Sequence, residues 1–255
     1  MGEINAVIVD IEGVIRKSEN VFHHAYEQAL ASVNLKLISL PEETWKLRGY
    51  KEFNSQKKFL ESIYAIAKTK EDLTKILWKK DPVGYLNEIV KKAQPNKEAI
   101  EKMEEMYLKY LTTPVIMRRI PPVRAGKKGV KILKEDGYTV AALTNSSREV
   151  IEKWLELKHV DTRFDNVMGI EDFGTPKPSP DGILKMCKVL KTKPQNTVYV
   201  GDTEVDIIAA KSAGTMAVGI NSGGSERRNL KILGATQVFG SVTDFALWLR
   251  NGGKL

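Results

Sequence analysis

The chain has 255 residues, a formal net charge of +8 and a single cysteine, Cys187. This length is enough for one large or two modest domains, and one cysteine excludes an internal disulfide framework and fits a reducing compartment. No apolar run approaches the ~18 residues of a membrane span, and residues 1–5 lack the basic and apolar segments of a signal peptide, so we expect a cytoplasmic protein.

The positive charge does not predict a nucleic-acid partner. Lysines are mixed with glutamates along the whole chain, as on solvated helix faces, and no basic block is interleaved with aromatic residues. A mildly positive protein does attract small phosphorylated anions. We therefore expect a small ligand, with neither a nucleic acid nor a membrane as partner.

The first predicted element is a buried strand over residues 6–9. Its sequence, Ala-Val-Ile-Val, is entirely apolar, which is typical of a parallel strand covered on both faces. The strand ends on Asp10, and Glu12 follows two residues later, beside Gly13. Ligands of open α/β sheets bind just beyond the carboxyl ends of the strands, so both acids are site candidates. The alternative for Asp10 is a carboxylate in an ordinary polar turn.

Residues 16–118 predict an inserted helical domain. Apolar residues recur at helical spacing over 20–34 and again over 100–111, with prolines and glycines breaking the segment between them. Since no strand candidate stands out here, we expect these helices to form a domain separate from the sheet.

After Pro121 and Pro122, strands and helices alternate to the end of the chain. Repeated strand–helix units predict an α/β fold with a doubly wound parallel sheet, formed by residues 1–15 and 119–255. The predicted strands are 138–143, 164–169, 197–200, 216–220 and 237–239, and the predicted helices are 126–136, 148–160, 179–190, 205–213, 227–233 and 242–250.

Polar side chains follow three of these later strands. Because the carboxyl ends of a parallel sheet share one edge, we expect these side chains to converge on Asp10. Taken singly, each has an ordinary alternative as a turn, helix-cap or solvated loop residue. They are Thr144 and Asn145 after strand 138–143, Lys177 in the loop beyond strand 164–169, and Asp202 and Asp206 after strand 197–200.

These residue types predict phosphoryl chemistry with a magnesium ion. Asp10, Asp202 and Asp206 supply carboxylate oxygens, which Mg²⁺ combines with waters and a substrate phosphate. Lys177 adds a positive charge, and the Thr144 hydroxyl donates to phosphoryl oxygens.

The first two acids predict a covalent route. Asp10 acts as a nucleophile that forms an aspartyl phosphate. Glu12 protonates the leaving oxygen and later activates water.

Four short motifs carry a resemblance to a known family. They are Asp-Ile-Glu-Gly-Val at 10–14, Thr144-Asn145, Lys177-Pro178, and Gly-Asp-Thr-Glu-Val-Asp at 201–206. The sequence resembles the haloacid dehalogenase superfamily, in its branch of phosphatases related to phosphoglycolate phosphatases. The similarity covers residues 4–250, and residues 16–118 correspond to the cap domain of that family. Glu12 departs from the pattern, because the family usually has Asp there, and its longer side chain must fold back or displace the leaving group.

The resemblance implies a Rossmann-like core with a mobile helical cap that closes over the site. It implies Asp10 as the nucleophile and Glu12 as the general acid and base. It also implies Mg²⁺ ligation by Asp10, the Glu12 backbone carbonyl and Asp202, with Asp206 binding directly or through a water. The residues implied to bind the phosphoryl group are Thr144, Asn145 and Lys177.

The resemblance adds Arg48 as a candidate substrate contact. Related enzymes place residues that select the substrate in a mid-cap loop, where we expect Arg48 to lie, and a guanidinium suits a carboxylate or a phosphate. The alternative is an exposed loop arginine.

We predict a Mg²⁺-dependent phosphatase that hydrolyses a small phosphorylated metabolite through an aspartyl-phosphate intermediate. Two alternatives stay open: a phosphate-ester-binding protein with little turnover, and a phosphotransferase or mutase on the same scaffold. The oligomeric state, monomer or homodimer, stays open as well.

Overall fold

The chain forms two compact units, which we call the core unit and the helical unit. The core unit combines Met1–Lys17 with Ile120–Leu255, and the helical unit is Ser18–Arg119. The assignment of the helical unit as a cap domain stays a prediction. The computed structural model describes residues 3–53, 55–160, 163–222 and 224–253.

The helical unit packs around aromatic side chains. Tyr26 stacks on Tyr107 with ring centroids 5.1 Å apart, and its centroid lies 4.5 Å from that of Phe59. Polar caps begin several helices, as where the Asn96 side chain accepts a hydrogen bond from Ala99 N. Its helices are α1 (Glu19–Ala31), α2 (Pro41–Gly49), α3 (Gln56–Thr69), α4 (Leu73–Leu77), α5 (Pro82–Ala93), α6 (Lys97–Thr112) and α7 (Pro114–Arg119).

The core unit is built on a parallel sheet, which has six strands in the described residues, in the order β3-β2-β1-β4-β5-β6. This confirms the predicted α/β class with a doubly wound sheet. The strands are β1 (Ala6–Val9), β2 (Thr139–Leu143), β3 (Asn166–Met168), β4 (Thr197–Gly201), β5 (Met216–Ile220) and β6 (Gln237–Phe239).

Strand β1 is the centre of the sheet. Its apolar residues are at most 1% exposed, and it pairs with β2 on one side and β4 on the other. Along the sequence, β2 and β3 extend the sheet on one side of β1, and β4, β5 and β6 then extend it on the other. The topological switch point, where α/β sheets bind ligands, therefore lies between the carboxyl ends of β1 and β4.

Helices of the core unit connect its strands. Helix α10 was not predicted, because four residues are too few to show a periodic pattern; it begins after Gly169, whose N–H donates to the Asp172 carboxylate at 2.9 Å. The helix predicted over 179–190 begins at Asp181. The helices are α8 (Arg124–Glu135), α9 (Arg148–Leu157), α10 (Ile170–Phe173), α11 (Asp181–Val189), α12 (Glu204–Ala213), α13 (Arg227–Ile232) and α14 (Val242–Arg250).

The chain leaves and re-enters the core unit along two adjacent segments. Lys17 N donates to Pro121 O at 3.0 Å, and Val123 N donates to Ile15 O at 2.8 Å. Among the described residues, no helix combines the length and the apolar character needed to cross a bilayer.

Candidate active site

The first carboxylate of the site is placed by the main chain after β1. Asp10 N donates to Val200 O at 2.8 Å, which extends the pairing of β1 with β4 by one residue. Gly13 then turns the chain with a φ of 77°, a conformation that favours glycine. A Cβ at Gly13 would also lie 2.2 Å from Asp202 Oδ2, so this glycine permits both the turn and the close approach of the second carboxylate.

A buried lysine joins the carboxyl ends of β1 and β4. Lys177 is 4% exposed, and its Nζ lies 2.8 Å from Asp10 Oδ1 and 2.6 Å from Asp206 Oδ1. It also donates to the Tyr199 hydroxyl at 2.9 Å. One ammonium group therefore contacts two carboxylates and a phenol in a region shielded from water.

Burial and charge shift the pKa values of this cluster. Burial raises the pKa of Asp10 well above its usual value; Lys177 opposes this shift, and the neighbouring carboxylates, Asp206 first, add to it. Burial alone would lower the pKa of Lys177, but the attraction of Asp10 and Asp206 outweighs it and holds that pKa well above its usual value. Burial likewise raises the pKa of Tyr199 well above its usual value.

Asp202 follows β4 and is fully buried. Its Oδ2 accepts a hydrogen bond from Ser222 Oγ at 2.9 Å, whereas its Oδ1 has no hydrogen-bond partner within the described part of the chain. Burial, reinforced by the charge of Asp206, raises the pKa of Asp202 to about 8. An ionised Asp202 therefore needs a further positive group.

The pKa of Asp202 predicts a pH-dependent stability. Since that pKa rises from 3.8 to about 8 on folding, the native state binds more protons than the unfolded state over this range. The contribution of Asp202 to the free energy of unfolding is then fully present below pH 3.8 and is lost as the pH rises towards 8, by up to about 1.4 kcal/mol per pH unit. Chemical denaturation in EDTA at several pH values measures it. Asp202→Asn should flatten this slope, and an unchanged slope in that variant would contradict the assignment.

The carboxylates are arranged as donors for a divalent cation. Asp10, Asp202 and Asp206 each offer an oxygen, and these atoms lie within 4.8 Å of one another. The unpartnered Asp202 Oδ1 gives a cation an oxygen with no competing hydrogen bond. The carboxylate oxygens of Asp206 are less available to a cation, because Oδ2 accepts hydrogen bonds from Thr203 N at 3.0 Å and from Thr203 Oγ1 at 2.6 Å. The residues present therefore fit a hard divalent cation, with Asp206 the least available donor.

The second acid of the first motif lies beside β2. Glu12 Oε2 accepts from Thr144 Oγ1 at 2.5 Å, and Glu12 Oε1 accepts from Ser146 Oγ at 2.8 Å. Arg16 NH2 lies 3.2 Å from the same Oε1. The longer side chain thus folds back onto the end of β2, where its two oxygens contact two hydroxyls and a guanidinium.

Asn145 holds the loop that carries the lysine. Its Oδ1 accepts from Lys177 N at 2.9 Å, and its Nδ2 donates to Lys177 O at 3.3 Å. This side chain therefore fixes the backbone of Lys177, a contact that the motif alone did not suggest.

Arg48 belongs to the helical unit. It lies in α2 and not in a loop as predicted, because Pro41 begins a helix that continues to Gly49. Its NH1 donates to Gln56 Oε1 at 3.1 Å, and its guanidinium carbon lies 5.3 Å from the centre of the Phe59 ring. Its assignment as a substrate contact stays a prediction.

The structure adds four polar residues to the predicted set. Tyr199 and Ser222 contact the carboxylate cluster, and Arg16 and Ser146 contact Glu12. Ser146 was detectable as part of the polar run after β2, whereas Arg16 lies at the end of a turn, where no helical spacing relates it to Glu12. Tyr199 and Ser222 carried no such signal.

Two relatives of known sequence match part of the chain. The phosphoglycolate phosphatase of Aquifex aeolicus is 32% identical over 132 residues, which are 52% of this chain and 61% of that protein. The pyrophosphatase PpaX of Bacillus mycoides is 36% identical over 92 residues, which are 36% of this chain and 43% of that protein. The matches thus span about half the length of these relatives.

Nearly the whole chain matches a known fold, and most of it matches a known family. A predicted phosphoglycolate phosphatase from Haemophilus somnus has a crystal structure that superposes with a TM-score of 0.73, at 19% identity, covering 98% of this chain and 99% of that one. The family model described as haloacid dehalogenase-like hydrolase matches residues 7–220. With its carboxylates and lysine gathered at the switch point of the sheet, the chain belongs to the haloacid dehalogenase-like hydrolase family.

Proposed function

We propose that the protein is a Mg²⁺-dependent phosphatase that hydrolyses a monoester of a small phosphorylated metabolite. The observation that carries the proposal is the buried cluster of Asp10, Asp202 and Asp206 at the switch point of the sheet, in which Lys177 contacts Asp10 and Asp206. The names of the relatives, a phosphoglycolate phosphatase and a pyrophosphatase, support a phosphorylated substrate.

Asp10 is the proposed nucleophile. Lys177 contacts Oδ1 at 2.8 Å, and we assign the attack on phosphorus to Oδ2. The Oδ2–P bond forms as the ester P–O bond breaks, which gives an aspartyl phosphate. The ammonium group of Lys177 fixes the carboxylate and attracts the phosphoryl oxygens, a positioning and electrostatic role suited to phosphoryl transfer.

Glu12 is the proposed proton carrier. Its carboxyl group gives a proton to the leaving oxygen in the first step. In the second step it takes a proton from the water that attacks phosphorus, while the Asp10–P bond breaks and inorganic phosphate leaves. The Thr144 hydroxyl, which donates to Glu12 Oε2 at 2.5 Å in this structure, is a proposed phosphoryl contact.

The remaining phosphoryl and substrate contacts are assigned by their positions. Lys177 contacts the phosphoryl group directly. Asn145, proposed from its motif as a second phosphoryl contact, also fixes Lys177 through two hydrogen bonds to its backbone. Arg48 stays a proposed substrate contact, for a carboxylate or a phosphate of the metabolite other than the phosphate that is hydrolysed.

The proposed metal is Mg²⁺. Asp10, the Glu12 backbone carbonyl and Asp202 would hold it, with Asp206 acting through a water because both of its oxygens accept hydrogen bonds. When bound, the ion neutralises the negative charge that the carboxylates and the phosphoryl group bring together.

Removing divalent metal is expected to abolish hydrolysis reversibly. The measurement is turnover of p-nitrophenyl phosphate and of a panel of phosphorylated metabolites, first in EDTA and then with Mg²⁺ restored. Ca²⁺ should not replace Mg²⁺, because it prefers more ligands at longer distances.

The outcomes separate the alternatives. Hydrolysis that persists in EDTA contradicts the metal proposal. Binding of the phosphate esters without turnover favours a binding protein, and transfer of the phosphoryl group to an acceptor other than water favours a phosphotransferase or mutase.

A further inference from the structure

We propose that Arg16 is a positioning residue, which fixes the Glu12 carboxylate for proton transfer. The inference rests on the function proposed above. Arg16 lies just outside the first motif, four residues after Glu12, and its NH2 is 3.2 Å from Glu12 Oε1. The two residues also form an isolated backbone bridge, so the turn after β1 itself brings them together.

The Arg16 guanidinium is buried beside an aromatic ring, away from water. The Arg16 side chain is 1% exposed, and its guanidinium carbon lies 5.7 Å from the centre of the Trp154 ring. That indole is fixed in turn, because Trp154 Nε1 donates to Ile120 O at 3.1 Å. A charge this deeply buried is costly unless it is paired, and the Glu12 carboxylate pairs with it at 3.2 Å.

The pair controls the orientation of the carboxylate. The other contacts of Glu12, the hydroxyls of Thr144 and Ser146, are neutral groups on short side chains that rotate. All three contacts are charge-assisted when Glu12 is ionised, but of the three donors Arg16 brings a full positive charge to the carboxylate. Glu also has one more rotatable bond than the Asp that the family usually has here, so this carboxylate needs more restraint to keep one position.

Orientation matters because a proton is transferred over a hydrogen-bond distance. A general acid works only within hydrogen-bond reach of the leaving oxygen, and a misplacement of about 1 Å costs about 100-fold in rate. Arg16 itself does not contact the substrate in this scheme, and it acts only through Glu12.

The test compares Arg16→Met, Glu12→Gln and the double variant on two esters in the presence of Mg²⁺. On phenyl phosphate, Arg16→Met is expected to lower kcat by about 10- to 100-fold while KM stays within about twofold. The loss should be smaller on p-nitrophenyl phosphate, because p-nitrophenolate leaves without being protonated. In the Glu12→Gln background, Arg16→Met should have no further effect on kcat. Arg250→Met, which removes an exposed pair with Asp136, is the control and should match the wild type.

Equal losses of kcat in both backgrounds and on both esters would mean a merely structural role and would overturn the proposal. If Arg16→Met fails to fold, Arg16→Lys decides, because it keeps the positive charge but loses the planar guanidinium that contacts Glu12: a loss of kcat specific to phenyl phosphate supports the positioning role, and no difference between the esters overturns it. An inactive wild type would contradict the proposed function instead. In that case a crystal structure of Arg16→Met tests the positioning role of Arg16. A Glu12 carboxylate that keeps its wild-type position overturns this role.

Discussion

Asp10→Asn is expected to lower kcat for p-nitrophenyl phosphate by about 10⁴-fold or more without unfolding the protein. An amide is not a nucleophile towards phosphorus, so the covalent step is lost. The fold should persist because Asn has the shape of Asp and its amide oxygen still accepts a hydrogen bond from Lys177 Nζ, whose charge also remains paired with Asp206. Initial rates and denaturant unfolding of both proteins measure the two effects.

A direct test of the intermediate accompanies this variant. Acid quenching with a radiolabelled phosphate ester should leave acid-stable label on the wild type and none on Asp10→Asn. Asp181→Asn, which changes an exposed carboxylate at the start of α11, is the matched control and should keep both activity and label. Activity retained by Asp10→Asn would refute the covalent mechanism.

Lys177→Met is expected to lower the free energy of unfolding by about 3–5 kcal/mol at neutral pH in EDTA, the usual cost of breaking a buried ion pair. The Lys177 ammonium contacts both Asp10 and Asp206, and without it these buried carboxylates lose their compensating charge. The loss should shrink at lower pH, because the raised pKa of Asp10 allows that carboxyl group to be protonated there. Urea unfolding at two pH values measures this difference.

The same substitution should also remove activity, and added Mg²⁺ should restore part of the lost stability by binding the carboxylates. Lys188→Met removes an exposed lysine of α11 and should change stability by no more than about 0.5 kcal/mol. A Lys177→Met protein that is as stable as this control would show that the carboxylates are not ionised in the native state.

Much of the core could be predicted because its signals are local. The run of apolar residues before Asp10 indicates a strand buried on both faces, and the alternation after Pro122 indicates a parallel sheet. The rule that carboxyl ends share one edge then brings Lys177 and Asp206 to Asp10 from distant parts of the sequence, and the structure places the Lys177 ammonium within 2.8 Å of both carboxylates.

The contacts that adjust the site could not be predicted, because they depend on side-chain conformation and packing. Glu12 is a polar residue in a motif, and nothing local says that it folds back onto Ser146 and Arg16. The Asn145 amide contacts the backbone of Lys177 across 32 positions of the chain, a distance over which no periodicity carries information. Arg48 was expected in a loop from the resemblance, whereas it lies in a helix that continues to Gly49.

The paired segments at the border of the core unit have a consequence for how the protein can vary. Residues 15–17 and 121–123 are joined by main-chain hydrogen bonds, so the two ends of the core chain that flank the helical unit lie next to each other. The entropic cost of closing an inserted segment grows only slowly with its length. We therefore expect this border to tolerate inserted segments of very different length without a change in the fold of the core unit.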